Sequence, residues 1–242
     1  METEVETIIA QLCGCIDTGT LSKYGKNSRV EDVENKRKKC NKVTCVPGTY
    51  KTPLTDEEQL NNAKYIYEYL SNEGWTKEAI CAFLGNVYEE SGLNPAVWEN
   101  MNNEQKGYGI VQFTKYKDNY KFIQWFNDYV VDNGLNEYSE WGHVGLNKFA
   151  IDNPEEMLKL QLEYFVISCK IGGEWIKTSK YHCPVEVQKI SYDEFINSNM
   201  DPEKLAYAFH GSYERSGDTA DMIQERADSA RYWYEEVFAD YN

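Results

Sequence analysis

From Thr55 onward, apolar side chains recur three and four residues apart, the spacing of helices with one face turned inward. Thr55 and Glu58 form a capping-box pair, which predicts a first helix from there to about Asn72, with Gly74 as its stop. Ile80, Phe83, Leu84 and Val87 share one stripe of a second helix that starts near Thr76 and is halted by Gly92 and Pro95. Further helices are marked by Ile123, Phe126 and Val130, by Asn153-Pro154-Glu155-Glu156, by Asp201-Pro202-Glu203, and by the stretch from about Thr219 to Phe238. Only Gly107-Tyr108-Gly109-Ile110-Val111-Gln112-Phe113 reads as strand. The predicted fold class is therefore mainly α, a helical domain with one small β-hairpin.

Residues 1–54 break this pattern. A short apolar stretch around Ile8, Ile9 and Leu12 gives way to the basic run Asn35-Lys36-Arg37-Lys38-Lys39 and then to the turn-forming Pro47-Gly48. Four of the seven cysteines, Cys13, Cys15, Cys40 and Cys45, fall here. The segment reads as a small Cys-rich cap or attachment piece ahead of a domain at 55–242. Disulfides or free structural thiols are the first reading of its cysteines. Zinc is the alternative, although Cys-x-Cys and Cys-x4-Cys are not the usual finger spacings.

Charge narrows the partners. The net charge is −15, and residues 1–50 hold eight Lys/Arg against seven Asp/Glu, which leaves 17 against 33, or −16, in 51–242. Such a field repels phosphate backbones, and no Lys/Arg stripe offsets it, so nucleic acid is excluded as a partner. No apolar run of about eighteen residues is present, so no membrane span is expected. The start, Met1-Glu2-Thr3-Glu4, lacks the basic flank and apolar stretch of a signal peptide. A substrate outside the producing cell would then be reached by lysis or by packaging in a virion.

Candidate chemistry centres on Glu90. It lies three residues after Val87 and seven after Phe83, on the apolar stripe in the last turn of the second helix, and should point inward. Glu89 is about 100° further round and reads as a solvated charge. A carboxyl held among apolar groups resists ionisation, keeps a proton near neutral pH and can donate it to a leaving oxygen.

Glu90-Ser91-Gly92-Leu93-Asn94-Pro95 is followed, 22 residues after the glutamate, by Gln112 within Gly107-Tyr108-Gly109-Ile110-Val111-Gln112-Phe113-Thr114. This combination resembles the lysozyme superfamily, in which a helix-ending Glu-Ser precedes a Tyr-Gly-Ile-Leu-Gln type hairpin. Ala63 to Leu70, Gly74 to Cys81, Leu84-Gly85-Asn86 and Ser212-Tyr213-Glu214-Arg215 extend the likeness to the phage tail lysozyme family, over roughly residues 56–240. The resemblance implies an α+β lysozyme-like fold with the hairpin lining the cleft, peptidoglycan as substrate and Glu90 as catalytic acid. It implies a muramidase cutting the β-1,4 bond between N-acetylmuramic acid and N-acetylglucosamine at a phage tail tip, made in the host cytoplasm and needing no cofactor or metal. Residues 1–54 would then be free to bind other tail proteins.

One departure bears on mechanism. Hen-type lysozymes carry an aspartate at the position equivalent to Gly107, and here that carboxylate is missing. An inverting hydrolysis through another carboxylate remains open, with Glu99 and Glu104 as candidates. So does a transglycosylase route in which Glu90 serves as acid and then base. Loss of activity, leaving a structural or wall-binding tail component, is the third reading. Gln112, Tyr108, Gly109 and Tyr213 are the expected substrate contacts, glycine letting the backbone approach a sugar and Gln112 offering donor and acceptor. Glu214 and Arg215 either line the cleft or pair to hold two helices together, and Asp218 is placed to cap the last helix. The scattered His143, His182 and His210 form no zinc-peptidase motif, and Cys81 reads as packing.

Overall fold

A computed structural model describes residues 42–50, 53–114, 121–178 and 183–241. The two best-signalled helices form as expected. α1 spans Asp56–Asn72 behind a complete Thr55/Glu58 capping box. α2 spans Lys77–Ser91, capped by the Thr76 hydroxyl and ended by Gly92 at φ 58. Each such N-cap contributes about 1 kcal/mol.

α3 (Phe122–Asp132), α5 (Pro154–Lys170), α7 (Pro202–Phe209) and α8 (Ala220–Tyr232) fall where periodicity and proline at the first turn place them. α4 (His143–Asp152) and the five-residue α6 (Tyr192–Ile196) are additions to the sequence reading. A wide turn at His210–Glu214 continues α7, and a second at Trp233–Val237 continues α8.

α2 is the axis of the fold. Every residue from Ala79 to Val87 is buried, so the helix is enclosed on all sides and is not merely amphipathic. α8 and α7 cover it most extensively, with α1 on a further side. Gly85 permits the closest of these contacts: a Cβ there would lie 2.5 Å from the Arg226 carbonyl and 2.6 Å from the Ala230 nitrogen. Helix α8 thus rests on bare backbone.

The expected hairpin is a smaller object. Among the described residues, β-pairing is confined to isolated bridges, Tyr108 with Phe113, Trp98 with Tyr108, and Gly48 with Val97. Tyr108 and Phe113 exchange hydrogen bonds of 3.2 and 2.8 Å around a turn in which Gly109 has φ 80 and Gln112 φ 48. Two left-handed residues in seven leave no room for extended strands.

The described part of the N-terminal segment belongs to the body and is not a separate cap. Thr44 exchanges hydrogen bonds with Asn62, and Val46 does so with Asn94. Gly48 donates to the Ala96 carbonyl at 3.3 Å and accepts from Trp98 at 2.8 Å. Cys45, Cys81, Cys169 and Cys183 are free thiols. Of the four cysteines on which the zinc and disulfide readings rest, Cys13, Cys15 and Cys40 lie outside the described residues. Among the described residues no helix is long and apolar enough to cross a membrane.

Candidate active site

Glu90 comes off the last turn of α2 with its side chain only 14% exposed. Glu89 beside it is exposed and accepts from Ser229. The partner of Glu90 is Arg226, whose Nη2 lies 2.5 Å from its Oε1. Arg226 is itself 5% exposed and fully engaged. Its Nε and Nη2 reach Asp218 Oδ2 at 3.2 and 2.8 Å, and its Nη1 donates to the Asn86 carbonyl at 3.2 Å. Asp218 also faces His210 Nε2 at 3.3 Å. Thr219 caps α8 in its place, so the role expected for Asp218 passes to its neighbour.

These contacts set the proton affinities. Burial pushes the Glu90 carboxyl up, Arg226 pulls it down by charge and hydrogen bond, and Asp218 and Glu89 push it up again, leaving it above the ordinary carboxylate range. Burial also acts against Asp218, but hydrogen bonds from Arg226 and Ser216 and the Arg226 charge outweigh it and hold that carboxyl low. Glu214 is pushed well above the usual range, by burial first and then by the charge of Glu90. It is not paired with Arg215, which turns away to Glu174 and the Ser212 carbonyl.

The glycine turn is bound to the foot of α2 by Ser91, whose single hydroxyl proton is shared between the carbonyl oxygens of Val87 and Ile110, each 3.0 Å from Oγ. Gln161 of α5 holds it from below, accepting from Ile110 N at 2.8 Å and donating to Pro95 O at 2.7 Å. A side chain at Gly109 would run into that carboxamide. Gln112 folds back on its own turn: Nε2 donates to Gly109 O at 2.9 Å, and buried Oε1 has no hydrogen-bond partner. A Cβ at Gly107 would meet this Oε1 at 2.5 Å, so the position that is aspartate in hen-type lysozymes is closed here by Gln112.

Other expected contacts move to different roles. Tyr108 is fully buried against Trp98, its hydroxyl facing the Met157 sulfur, and contributes its backbone and not its ring. Tyr213 packs on Phe165 and Phe209 at ring distances of 4.8 and 5.2 Å. Glu99 pairs with Lys106 and accepts from Gly107 N, while Glu104 accepts from His143 N. Both brace the loop before the turn.

Sequence reading missed Arg226, Gln161 and Tyr50. The first two carried a usable signal. Arg226 shares a stripe with Ile223, Ala227 and Ala230, and Gln161 sits among Met157, Leu158, Leu162 and Phe165, so each is a polar group on an inward face, as Glu90 is. Tyr50 is 51% exposed and is carried past the turn by the Gly48 bridge to Val97. Burial raises its hydroxyl, with further contributions from the charges of Glu90, Glu99 and Glu214.

A mainly helical domain with a buried acid at the end of its central helix, set against a glycine turn, is the arrangement anticipated for a lysozyme-like protein. The phage tail lysozyme family model matches residues 61–237, and the chain belongs to that family. It is also similar to "Morphogenesis protein 1" of Bacillus phage B103, 30% identical over 183 residues that cover 75% of this chain and 40% of that protein. The match thus covers 40% of the length of this relative.

Proposed function

We propose that the protein is a virion-borne, lysozyme-type peptidoglycan hydrolase that cuts glycan strands during passage through the cell wall, with Glu90 delivering the proton to the glycosidic oxygen. The observation that carries this reading is the Glu90 carboxyl, sequestered at the foot of α2 with its proton affinity raised and the glycine turn beside it. The family match supports the lysozyme-like chemistry, and the morphogenesis relative supports a place in the virion. The tail tip is the position that suits a wall-cutting virion component.

Position 107 is glycine and offers no carboxylate nucleophile, which argues against a glycosyl-enzyme formed there. The engagement of Glu99 and Glu104 in bracing the loop favours, as a second reading, attack by the substrate's own hydroxyl. Mass spectrometry of muropeptides released from purified Gram-positive peptidoglycan separates these. Reducing-end muramic acid is the product of a hydrolase, and 1,6-anhydromuramic acid is the product of a transglycosylase. Intact strands would leave a structural or wall-binding tail component.

Tyr50 is the exposed aromatic at this site, and aromatic faces stack on sugar rings. Tyr50→Ala is expected to raise the half-saturating peptidoglycan concentration about three- to tenfold, for a contact of about 1 kcal/mol, with kcat little changed. Tyr50→Phe should behave as wild type. An unchanged half-saturation in the alanine variant would remove Tyr50 from the cleft.

A further inference from the structure

An arginine beside a general acid works against it, because a guanidinium that pairs bidentately with a carboxylate holds that carboxylate ionised. At this site the guanidinium is divided. Arg226 Nη2 lies 2.5 Å from Glu90 Oε1 and 2.8 Å from Asp218 Oδ2, and Nε reaches the same Asp218 oxygen at 3.2 Å. Nη1 donates to the Asn86 carbonyl of α2 at 3.2 Å. Asp218 thus engages two of the three guanidinium nitrogens, and Glu90 is left with one proton of the shared Nη2.

We propose that Asp218 is a positioning residue for the acid: it holds Arg226 by two nitrogens, so that Glu90 meets a single N–H and not the bidentate face of the cation. This rests on the reading of the site as a glycan-cleaving centre. Burial does not decide which carboxylate takes the cation, since the side chains of Glu90 and Asp218 are 14% and 13% exposed. The difference lies in what stands behind Asp218. His210, fully buried in the wide turn after α7, brings Nε2 within 3.3 Å of Asp218 Oδ2 and 2.8 Å of Ser216 Oγ. Ser216 also hydrogen-bonds to Asp218. The carboxylate is therefore gripped on the side away from Arg226 as well as by Arg226 itself, and it stays in place to hold the guanidinium.

The groups that act on Glu90 fit this assignment. Asp218 ahead of α8 and Glu89 on α2 oppose its ionisation by their charge, and Arg226 on α8 favours it. Glu214 in the wide turn and Tyr50 of the N-terminal segment also interact with Glu90, and burial pushes each towards its neutral form. The division of the cation has the result expected of it: Glu90 stays above the ordinary carboxylate range, while the similarly buried Asp218 is held below it. Removing the charge of Asp218 would act on Glu90 twice in one direction. It takes away a neighbouring negative charge, and it leaves Glu90 as the stronger partner of a buried cation, so both effects lower the proton affinity of Glu90.

Two measurements test the positioning, and the first needs neither substrate nor activity. In an NMR titration of protein labelled at its glutamate carboxyl carbons, the Glu90 resonance is identified by its absence in Glu90→Gln. Its midpoint should lie above that of an ordinary glutamate in wild type and fall by about one pH unit or more in Asp218→Asn. Asp218→Glu keeps a charge at that place and should keep the midpoint raised. An ordinary midpoint in wild type, a midpoint that stays or rises in Asp218→Asn, or an equal fall in Asp218→Glu would overturn the proposal. Where Asp218→Asn does not fold, the wild-type midpoint and Asp218→Glu carry the test. The second measurement is the pH dependence of kcat/KM on purified peptidoglycan. Asp218→Asn should move the alkaline limb down with the Glu90 midpoint, and Asp218→Glu should return it towards wild type. A rate lowered equally at every pH, with the limb in place, would reduce Asp218 to a structural brace and overturn the assignment. Because the titration is independent of turnover, a protein that shows the Asp218-dependent midpoint but cuts no glycan would sink the functional reading and leave the positioning of Arg226 standing.

Discussion

Glu90→Gln is expected to lower glycan cleavage by about 10²–10⁴-fold, the range that a positioned general acid contributes, while leaving the fold in place. In barrier terms this is about 3–5 kcal/mol at 1.36 kcal/mol per tenfold. Glutamine keeps the shape of the side chain and an oxygen for Arg226 Nη2, which now touches Glu90 Oε1. The buried guanidinium also retains Asp218. The change therefore removes the titratable proton and little else, and circular dichroism with muropeptide analysis run together checks both halves of the expectation. Glu90→Ala is the less informative variant, since it opens a cavity and strips a buried cation of one partner. A glutamine variant that folds and still cuts at more than a tenth of the wild-type rate would take Glu90 out of the mechanism.

The same arrangement fixes a pH dependence of stability. Glu214 and Glu90 both have carboxyls raised by burial, so their contribution is fully present below the ordinary glutamate range and is lost as pH climbs through their raised values. Asp218 is lowered and acts in the opposite sense, its contribution failing only in more acid solution as it protonates. Within this cluster the raised pair and the lowered Asp218 oppose one another. The cluster's contribution to stability should therefore be largest in mildly acidic buffer, between the acid range where Asp218 protonates and the range where Glu90 and Glu214 ionise. Urea titrations across pH on wild type and Glu214→Gln would read this.

How far the sequence could be read depends on how local the cause was. Helix starts with a side-chain cap or a first-turn proline were legible, because Thr55, Thr76 and Pro154 act within three or four residues of themselves. α4 was not: Gly142 precedes it at φ 73 with no side-chain cap, and Glu104, 39 residues upstream, receives the His143 amide instead. α6 had a legible Ser191/Glu194 capping box but only five residues, too few for any periodicity to show. Gly107 to Phe113 looked like strand because aromatic and β-branched residues favour it, yet the left-handed glycine and the Gln161 brace turn the backbone sharply. For the site, the carboxyl on an apolar stripe pointed only weakly to Glu90, and it was the Glu-Ser step followed by the glycine segment ending in Gln112 that singled it out as the candidate. Its partners come from α8 and from the turn after α7, more than a hundred residues away, and no local pattern relates them.

Gly85→Ala is expected to destabilise the domain, although alanine in a helix interior ordinarily gains roughly 1 kcal/mol over glycine. The local gain is outweighed because the new methyl would face the backbone of α8, at 2.5 Å from Arg226 O and 2.6 Å from Ala230 N. A rotamer change cannot relieve a clash with backbone, so α8 must move away from α2. Overpacking of this kind costs typically 1–3 kcal/mol and more where backbone is involved, for a net loss near 2 kcal/mol and a fall in Tm of about 4–8 °C. The atom met first belongs to Arg226, so the displacement that relieves the clash also draws the guanidinium from Glu90. Scanning calorimetry reads the stability, and the kcat/KM profile of the surviving folded protein should show its alkaline limb displaced upward as Glu90 loses its cation. A Tm at or above that of wild type would mean that α8 does not rest on α2 as described, and that the distance between Glu90 and Arg226 is set by something other than the missing side chain at Gly85.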